Sequence, residues 1–235
     1  MKFTLPVPKP FVGTVVDVEK ISHDVIVPTF KVPNDFSFEA GQFVVVRFNN
    51  GTETKPRSYS ILNPPFKKGI LQSCIKLIDG GFASEVLKKI KNGDEFPMMG
   101  PLGGFRFDKE SGHPSHWFIC TGAGITPLYS MIYQYLGEFP NKQFTLLFGT
   151  KTKRDLIFYK EFQQLEKENP NFKFLVTLTR EEWDGLHGRV QEHIPRDVSN
   201  TTFYICGLKE MVLGTKDALE RKGVDPKHIR FERFT

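Results

Sequence analysis

Short apolar runs broken by glycine and proline fill residues 11–107 and predict β-strands. The runs VGTVVDV (12–18), VIVPTFKV (25–32), QFVVVRF (42–48), RSYSI (57–61), LQSCIKLI (71–78) and DEFPMM (94–99) recur at the spacing of a sandwich or barrel. Turn residues punctuate them in FEAGQ, NNGTETKP and NPPFKKG. One helix is predicted inside this half, over EVLKKIKN, with Ser84 as its N-cap and Gly93 at its end.

The polar, turn-prone stretch FDKESGHPSH (107–116) marks a boundary, after which the period changes. HWFIC is followed by a helix starting at Pro127, with Thr126 as N-cap, and FTLLFG by DLIFYKEFQQLEKE, with Asp155 as cap. FKFLVTL, TTFYIC and IRFERF supply three further strands, with KEMVLGTKDALERK as a helix between the last two. Apolar strands separated by amphipathic helices imply a parallel sheet covered on both faces. The expected architecture is therefore two-domain, β followed by α/β. An antiparallel Greek-key β-barrel occupies 1–109, and a doubly wound parallel sheet occupies 110–235.

Composition narrows the class. The chain of 235 residues suits two domains that each bury a core. No apolar run approaches the ~20 residues of a membrane span, and MKFTLPVPKP is too broken by proline for a signal peptide. The expectation is a cytoplasmic protein with no membrane partner. Cys74, Cys120 and Cys206 are scattered, without metal or iron–sulfur spacing. A net charge of +5 is mild: it suits acidic partners or phosphorylated ligands, and is too weak to argue nucleic acid alone.

Candidate chemistry concentrates in five stretches. RSYS (57–60) sets a fixed cation and a phenol ring between hydroxyls, where a strand would alternate apolar and polar. DGGFASEV (79–86) frees the backbone at Gly80 and Gly81 and adds the Ser84 hydroxyl at a helix start. CTGAGITP (120–127) leaves an apolar strand through Gly122 and Gly124 and enters a helix whose positive end favours a phosphate. FYICGLKEM (203–211) turns at Cys206 and Gly207. LTREEWDGLHGRV (178–190) offers Thr179, Arg180 and Arg189 as a phosphate clamp. Each has a plainer reading: a tight glycine turn, a capped helix, a buried cysteine, or solvated surface arginines.

Taken together and in order, RSYS, GGFAS, GPLGGF, TGAGITP, FGT…RDL, TRE, CGLK and the C-terminal FERF resemble the ferredoxin–NADP reductase family of flavoproteins, over essentially the whole chain. The resemblance implies that Arg57 holds the flavin phosphate, Tyr59 packs on the isoalloxazine, and Ser60, beside Ser58, hydrogen-bonds near the redox-active nitrogen. These residue types suit an anion, a π-face and a changing protonation state. It further implies a phosphate site at Gly81, Phe82 and Ser84, and backbone contacts from Cys74, Ile75 and Lys76 to the flavin rim. Thr126 is expected near the nicotinamide and, with Phe234, within reach of the flavin. Thr121, Gly122, Gly124 and Gly207 belong to the NADP site, with Cys206 beside the hydride-donating carbon and Glu232 completing a catalytic set with Ser60 and Cys206. The chain carries Thr235 beyond the aromatic at which plant-type members end.

The implied activity is an FAD-dependent NADPH oxidoreductase that passes electrons to a separate one-electron carrier, an acidic ferredoxin or flavodoxin. GPLGGF favours FAD, whereas Asn63 fits the FMN-binding branch equally well. RSYS and GGFAS are close in sequence, which implies that an adenine-clasping hairpin is missing. The alternatives are a free-flavin reductase, the reductase component of an oxygenase, or a barrel binding nucleic acid through lysine-rich loops at 67–68 and 88–91. The last leaves RSYS, TGAGITP and CGLK unexplained.

Overall fold

The computed structural model describes residues 7–234. The expectations about the first six residues and Thr235 lie outside the described residues. The chain divides into two compact units, residues 1–106 and 107–235.

The first unit is an antiparallel sheet in which β3 (Phe43–Asn49) pairs with both β4 (Thr54–Ser60) and β7 (Glu95–Leu102). β7 pairs in turn with β1 (Lys9–Lys20), β1 with β2 (Val25–Lys31), and β2 with both β5 (Ile70–Gln72) and β6 (Ile75–Lys76). The insertion of β7 between the β1–β2 and β3–β4 pairs gives the Greek-key order. All strands wrap one core that includes Phe30, Phe48, Ile61, Leu71, Phe96 and Met98. Alternation along β3 shows the cause: Val44, Val46 and Phe48 are buried, while Arg47 and Asn49 are exposed. The predicted strand at 71–78 is split at Ser73 and Cys74, so β5 and β6 pair separately along β2.

The second unit is a parallel sheet ordered β11 (Leu186–His187), β10 (Phe172–Leu178), β9 (Gln143–Thr150), β8 (Ser115–Thr121), β12 (Thr201–Leu208), β13 (Ile229–Phe234). α2 (Ile125–Tyr135) and α3 (Tyr159–Glu168) cover one face, where Phe162 of α3 meets Phe172 and Phe174. α4 (Lys209–Arg221) and the 3₁₀ turn Val190–His193 cover the other, over Ile119, Leu147, Phe203 and Ile205. On the α2 face, Phe107 lies at the centre of an aromatic group. It stacks on Tyr135 at 4.7 Å, on Tyr204 at 5.5 Å and on Phe144 at 5.7 Å.

Three expected caps are corrected. Helix α1 (Phe82–Leu87) starts after Gly81, so Ser84 lies inside it and does not cap it; its Oγ instead accepts the Ile78 N–H at 2.9 Å. The helix ends at Leu87, short of Gly93, which adopts φ +91° in the following turn. α2 starts at Ile125, after a 3₁₀ turn over Gly122–Gly124, which places Thr126 in the first turn, donating to the Ala123 carbonyl at 2.7 Å. Asp155 belongs to a separate 3₁₀ turn, Lys153–Asp155, boxed with Thr152; α3 follows from Phe158. In each case a hydroxyl or carboxylate has found a nearer local partner than the helix N-terminus.

Candidate functional site

In the first unit the candidate residues sit at the end of the β3–β4 pair. Arg57 stands opposite Val46, Tyr59 opposite Val44, Ser58 opposite Val45 and Ser60 opposite Phe43. Arg57 and Tyr59 therefore share one face. That face also meets the start of α1, since Lys55, on the same side, holds its ammonium 4.8 Å over the Phe82 ring. Tyr59 packs edge-on to Phe48 at 5.8 Å. Burial pushes its phenol up to about 12 against the opposing pull of Arg57, so it is a neutral ring at physiological pH. The Arg57 guanidinium is exposed and donates to the Pro56 carbonyl; no carboxylate pairs with it among the described residues. A fixed cation left unpaired beside a flat ring suits an anionic aromatic ligand.

Gly81 makes the turn into α1 possible, because a Cβ there would lie 3.0 Å from the Ile78 carbonyl and 3.1 Å from Ser84 Oγ. No side chain caps α1, so the N–H groups of Phe82 and Ala83 are left to other acceptors. Cys74, just before β6, and Ile75 on it are buried, and Lys76 pairs with Asp24 at 2.7 Å. Asn63 is buried and holds the 63–72 loop: its amide donates to the Lys67 and Ile70 carbonyls and accepts from the Gln72 N–H.

In the second unit the candidates gather at the carboxyl ends of β8, β10 and β12, the ligand edge of an open parallel sheet. Gly124 meets the end of β12 so closely that a Cβ would overlap the Cys206 carbonyl and lie 2.7 Å from Gly207 Cα. Gly122 instead faces open space and is needed for its φ of +53°. Thr121 Oγ1 is buried without a hydrogen-bond partner among the described residues, and a Cβ on Gly207 would come within 2.7 Å of it. An orphaned hydroxyl at a glycine-lined strand end fits a ligand that supplies polar atoms there.

The structure also brings the two arginines to one edge. Past β10, Thr179 and Arg180 donate their N–H groups to the Thr150 and Lys151 carbonyls, which extends the pairing with β9. β11, a two-residue strand that the sequence pattern does not predict, returns the chain so that the Gly188 N–H reaches the Leu178 carbonyl and Arg189 follows. Thr179, Arg180 and Arg189 are all exposed. Sequence reasoning missed Lys153 and Arg154, exposed in the 3₁₀ turn after β9; the basic run in GTKTKRD was the available signal.

Cys206 is fully buried, and burial, then the Glu232 carboxylate, then Cys120, push its thiol well above the ordinary range. Those surroundings favour the thiol over the thiolate. Glu232 and Phe234 are partly buried on β13, with Glu232 opposite Cys206.

Comparison with known proteins fits this division. Residues 12–107 match the family profile "Oxidoreductase FAD-binding domain", and residues 118–217 match "Oxidoreductase NAD-binding domain". The chain is 34% identical over 212 residues to ferredoxin–NADP reductase B of Sorangium cellulosum (strain So ce56), covering 85% of this chain and 86% of that one. The chain belongs to the ferredoxin–NADP reductase family. It is also 28% identical to the phenol hydroxylase P5 protein of Acinetobacter pittii (strain PHEA-2), over 94% of this chain but only 65% of that longer relative. In structure it resembles the Amycolatopsis cytochrome P450 reductase GcoB, with a TM-score of 0.90, 25% identity, and coverage of 99% of this chain and 71% of that one. As a ferredoxin–NADP reductase family member, the protein is a flavin oxidoreductase with an FAD-binding and an NAD(P)-binding domain. Among the described residues, no helix is long and apolar enough to cross a membrane.

Proposed function

We propose that the protein is an FAD-dependent NADPH oxidoreductase that delivers electrons to a separate acidic carrier of the ferredoxin or flavodoxin kind. The observation that carries the flavin half is the unpaired Arg57 guanidinium on one face with the neutral Tyr59 ring and the uncapped start of α1. When bound, FAD accepts two electrons as hydride and releases them singly, and NADPH is the hydride donor. Arg57 and the backbone at Gly81 and Phe82 hold phosphate, Tyr59 holds the ring in orientation, and Ser60 donates or accepts at the ring edge. Thr121 and the 122–126 turn hold the nicotinamide half of the nucleotide. Cys206 packs as a neutral thiol, kept so first by burial and then by the Glu232 carboxylate.

The NADPH preference rests on Thr179, Arg180 and Arg189, gathered as exposed donors at the end of β10. The carrier rests on the +5 charge of the chain and on the relative named ferredoxin–NADP reductase B. A second reading, the reductase component of an oxygenase, is favoured by the likeness to a cytochrome P450 reductase. An acceptor panel run with the FAD-loaded protein separates them. Fast NADPH-driven reduction of ferredoxin or flavodoxin supports the proposal, turnover only with an oxygenase partner supports the second reading, and failure to bind FAD removes both.

A further inference from the structure

Cys206 has a neighbour that its own motif does not point to. Along the β8–β12 pairing Cys206 stands opposite Cys120, and along the β12–β13 pairing it stands opposite Glu232. In-register neighbours on parallel strands present their side chains to the same face, so two thiols and a carboxylate form one row across three strands. It is the face that α2 covers, where Phe118 and Tyr204 stack at 4.9 Å two residues below the cysteines. Phe148, opposite Cys120 on β9, closes the row on its far side. Phe148, Cys120 and Cys206 are each 0% exposed, and both cysteines are free thiols. Gly124 presses on the Cys206 backbone from the turn above. The main chain of Cys206 is thus fixed by the turn, and its sulfur is flanked within the sheet by Cys120 on one side and Glu232 on the other.

We propose that Cys120 is a positioning residue for Cys206, filling one flank of its sulfur so that the thiol is held in one place between Cys120 and Glu232. The inference rests on the reading that Cys206 lies beside the nicotinamide. There a neutral thiol packs against the ring without reacting. A thiolate there would be a nucleophile beside an electrophilic ring, which the neutral thiol is not. The upward shift of the Cys206 thiol, due first to burial and then to Glu232 and Cys120, runs in the protective direction. Packing sets the rest: truncating Cys120 to Ala removes the atom that faces Cys206 and leaves a gap into which its sulfur can turn, whereas Val refills that volume.

The test uses the FAD-loaded protein and three variants, Cys120→Ala, Cys120→Val and Glu232→Gln. The S–H infrared band of Cys206 is assigned by difference from Cys206→Ala. Single-turnover flavin reduction by NADPH is followed alongside. In Cys120→Ala the Cys206 band is expected to move and the reduction rate to fall roughly tenfold, since small misplacements near a reacting atom cost rate, with KM within about twofold. Cys120→Val is expected to restore both, and Glu232→Gln to move the band from the other side. A Cys206 band unmoved in Cys120→Ala overturns the proposal, as does equal rate loss in the Ala and Val variants. If Cys120→Ala does not fold, the Glu232→Gln band and the Cys120→Val rate still decide. If the wild type takes no hydride from NADPH, the functional reading falls, while the infrared bands report on the row independently.

Discussion

The Glu181 carboxylate accepts the backbone N–H of Lys153 at 2.7 Å. With the Thr179 and Arg180 N–H bonds to the Thr150 and Lys151 carbonyls, it laces the segment after β9 to the segment after β10. Glu181 is thereby committed to the protein's own backbone, where an unattached carboxylate would have been an acceptor for ribose hydroxyls. The guanidinium groups of Arg180 and Arg189, by contrast, pair with no carboxylate among the described residues, the Glu192 carboxylate taking only the Arg189 backbone N–H.

That contrast sets the expected nucleotide preference. A charge-assisted bond to phosphate is worth ~1.5–3 kcal/mol, reduced by solvent screening at exposed arginines. Arg180→Ala is therefore expected to lower kcat/KM for NADPH by roughly tenfold while changing that for NADH by less than about twofold. Steady-state kinetics with both nucleotides checks it. Equal efficiencies in the wild type would reduce both arginines to surface charge.

Flavin retention separates Arg57 from the fold. Its guanidinium is exposed and bonded only to the Pro56 carbonyl among the described residues, so Arg57→Ala is expected to leave the melting temperature of flavin-free protein nearly unchanged. FAD affinity should fall by about one to two orders of magnitude, the value of a charge-assisted phosphate contact. Tyr59→Ala removes a ring packed on Phe48 and should lower both affinity and melting temperature. Titration with FAD and thermal unfolding of the apo forms read the two effects apart.

Acid stability is expected to depend on His116. Burial, then Lys142, hold its imidazole down to about 4, below the ordinary 6.5, against the opposing pull of a His113 backbone hydrogen bond and of Asp108. A histidine whose folded value is depressed contributes stability above pH 6.5 and loses it as the pH falls through 6.5 toward 4, because the unfolded chain binds the proton first. The loss is roughly 2–3 kcal/mol over that window. His116→Phe, which keeps a ring against Phe107 at a site where the two now lie 4.9 Å apart, should flatten that limb of the stability curve. The slope that remains belongs in part to His228, whose value is also lowered by burial and by His113. Urea unfolding at pH 7, 6, 5 and 4.5 measures it.

The strands were legible because their apolar residues alternate or run unbroken, as in β3 and β12. So was the sheet edge that gathers Thr121, Gly122, Gly207 and Arg180, since turn glycines and apolar strand ends mark it. Helix starts were not legible. Ser84, Thr126 and Asp155 all have the chemistry of a cap, and only the folded loops show that Ile78, Ala123 and Thr152 engage them first. β11 escaped because two residues carry no period. Phe107 opens a polar, turn-prone stretch in sequence, whereas tertiary contacts make it the centre of an aromatic cluster. The Cys120–Cys206 pairing was hidden too, since register between strands eighty-odd residues apart leaves no local trace.

The two glycines of the 122–124 turn should fail for different reasons. Gly122 has φ +53° and nothing near its missing Cβ, so Gly122→Ala costs only left-handed strain, about 1–2 kcal/mol, and Gly122→Asn less. Gly124 has an ordinary helical backbone, φ −61°, so Gly124→Ala carries no conformational penalty. Its Cβ would instead overlap the Cys206 carbonyl and approach Gly207 Cα at 2.7 Å. Those are backbone atoms that cannot rotate away, so either the turn or the end of β12 must shift. Overpacking of this kind costs about 1–3 kcal/mol, and here the shift falls on Cys206 itself. Gly124→Ala is therefore expected to slow flavin reduction by NADPH by more than tenfold, while Gly122→Ala, of similar melting temperature, slows it much less. Thermal unfolding paired with single-turnover kinetics distinguishes the two, and equal rates in both variants would show that the Gly124–Cys206 contact serves stability alone.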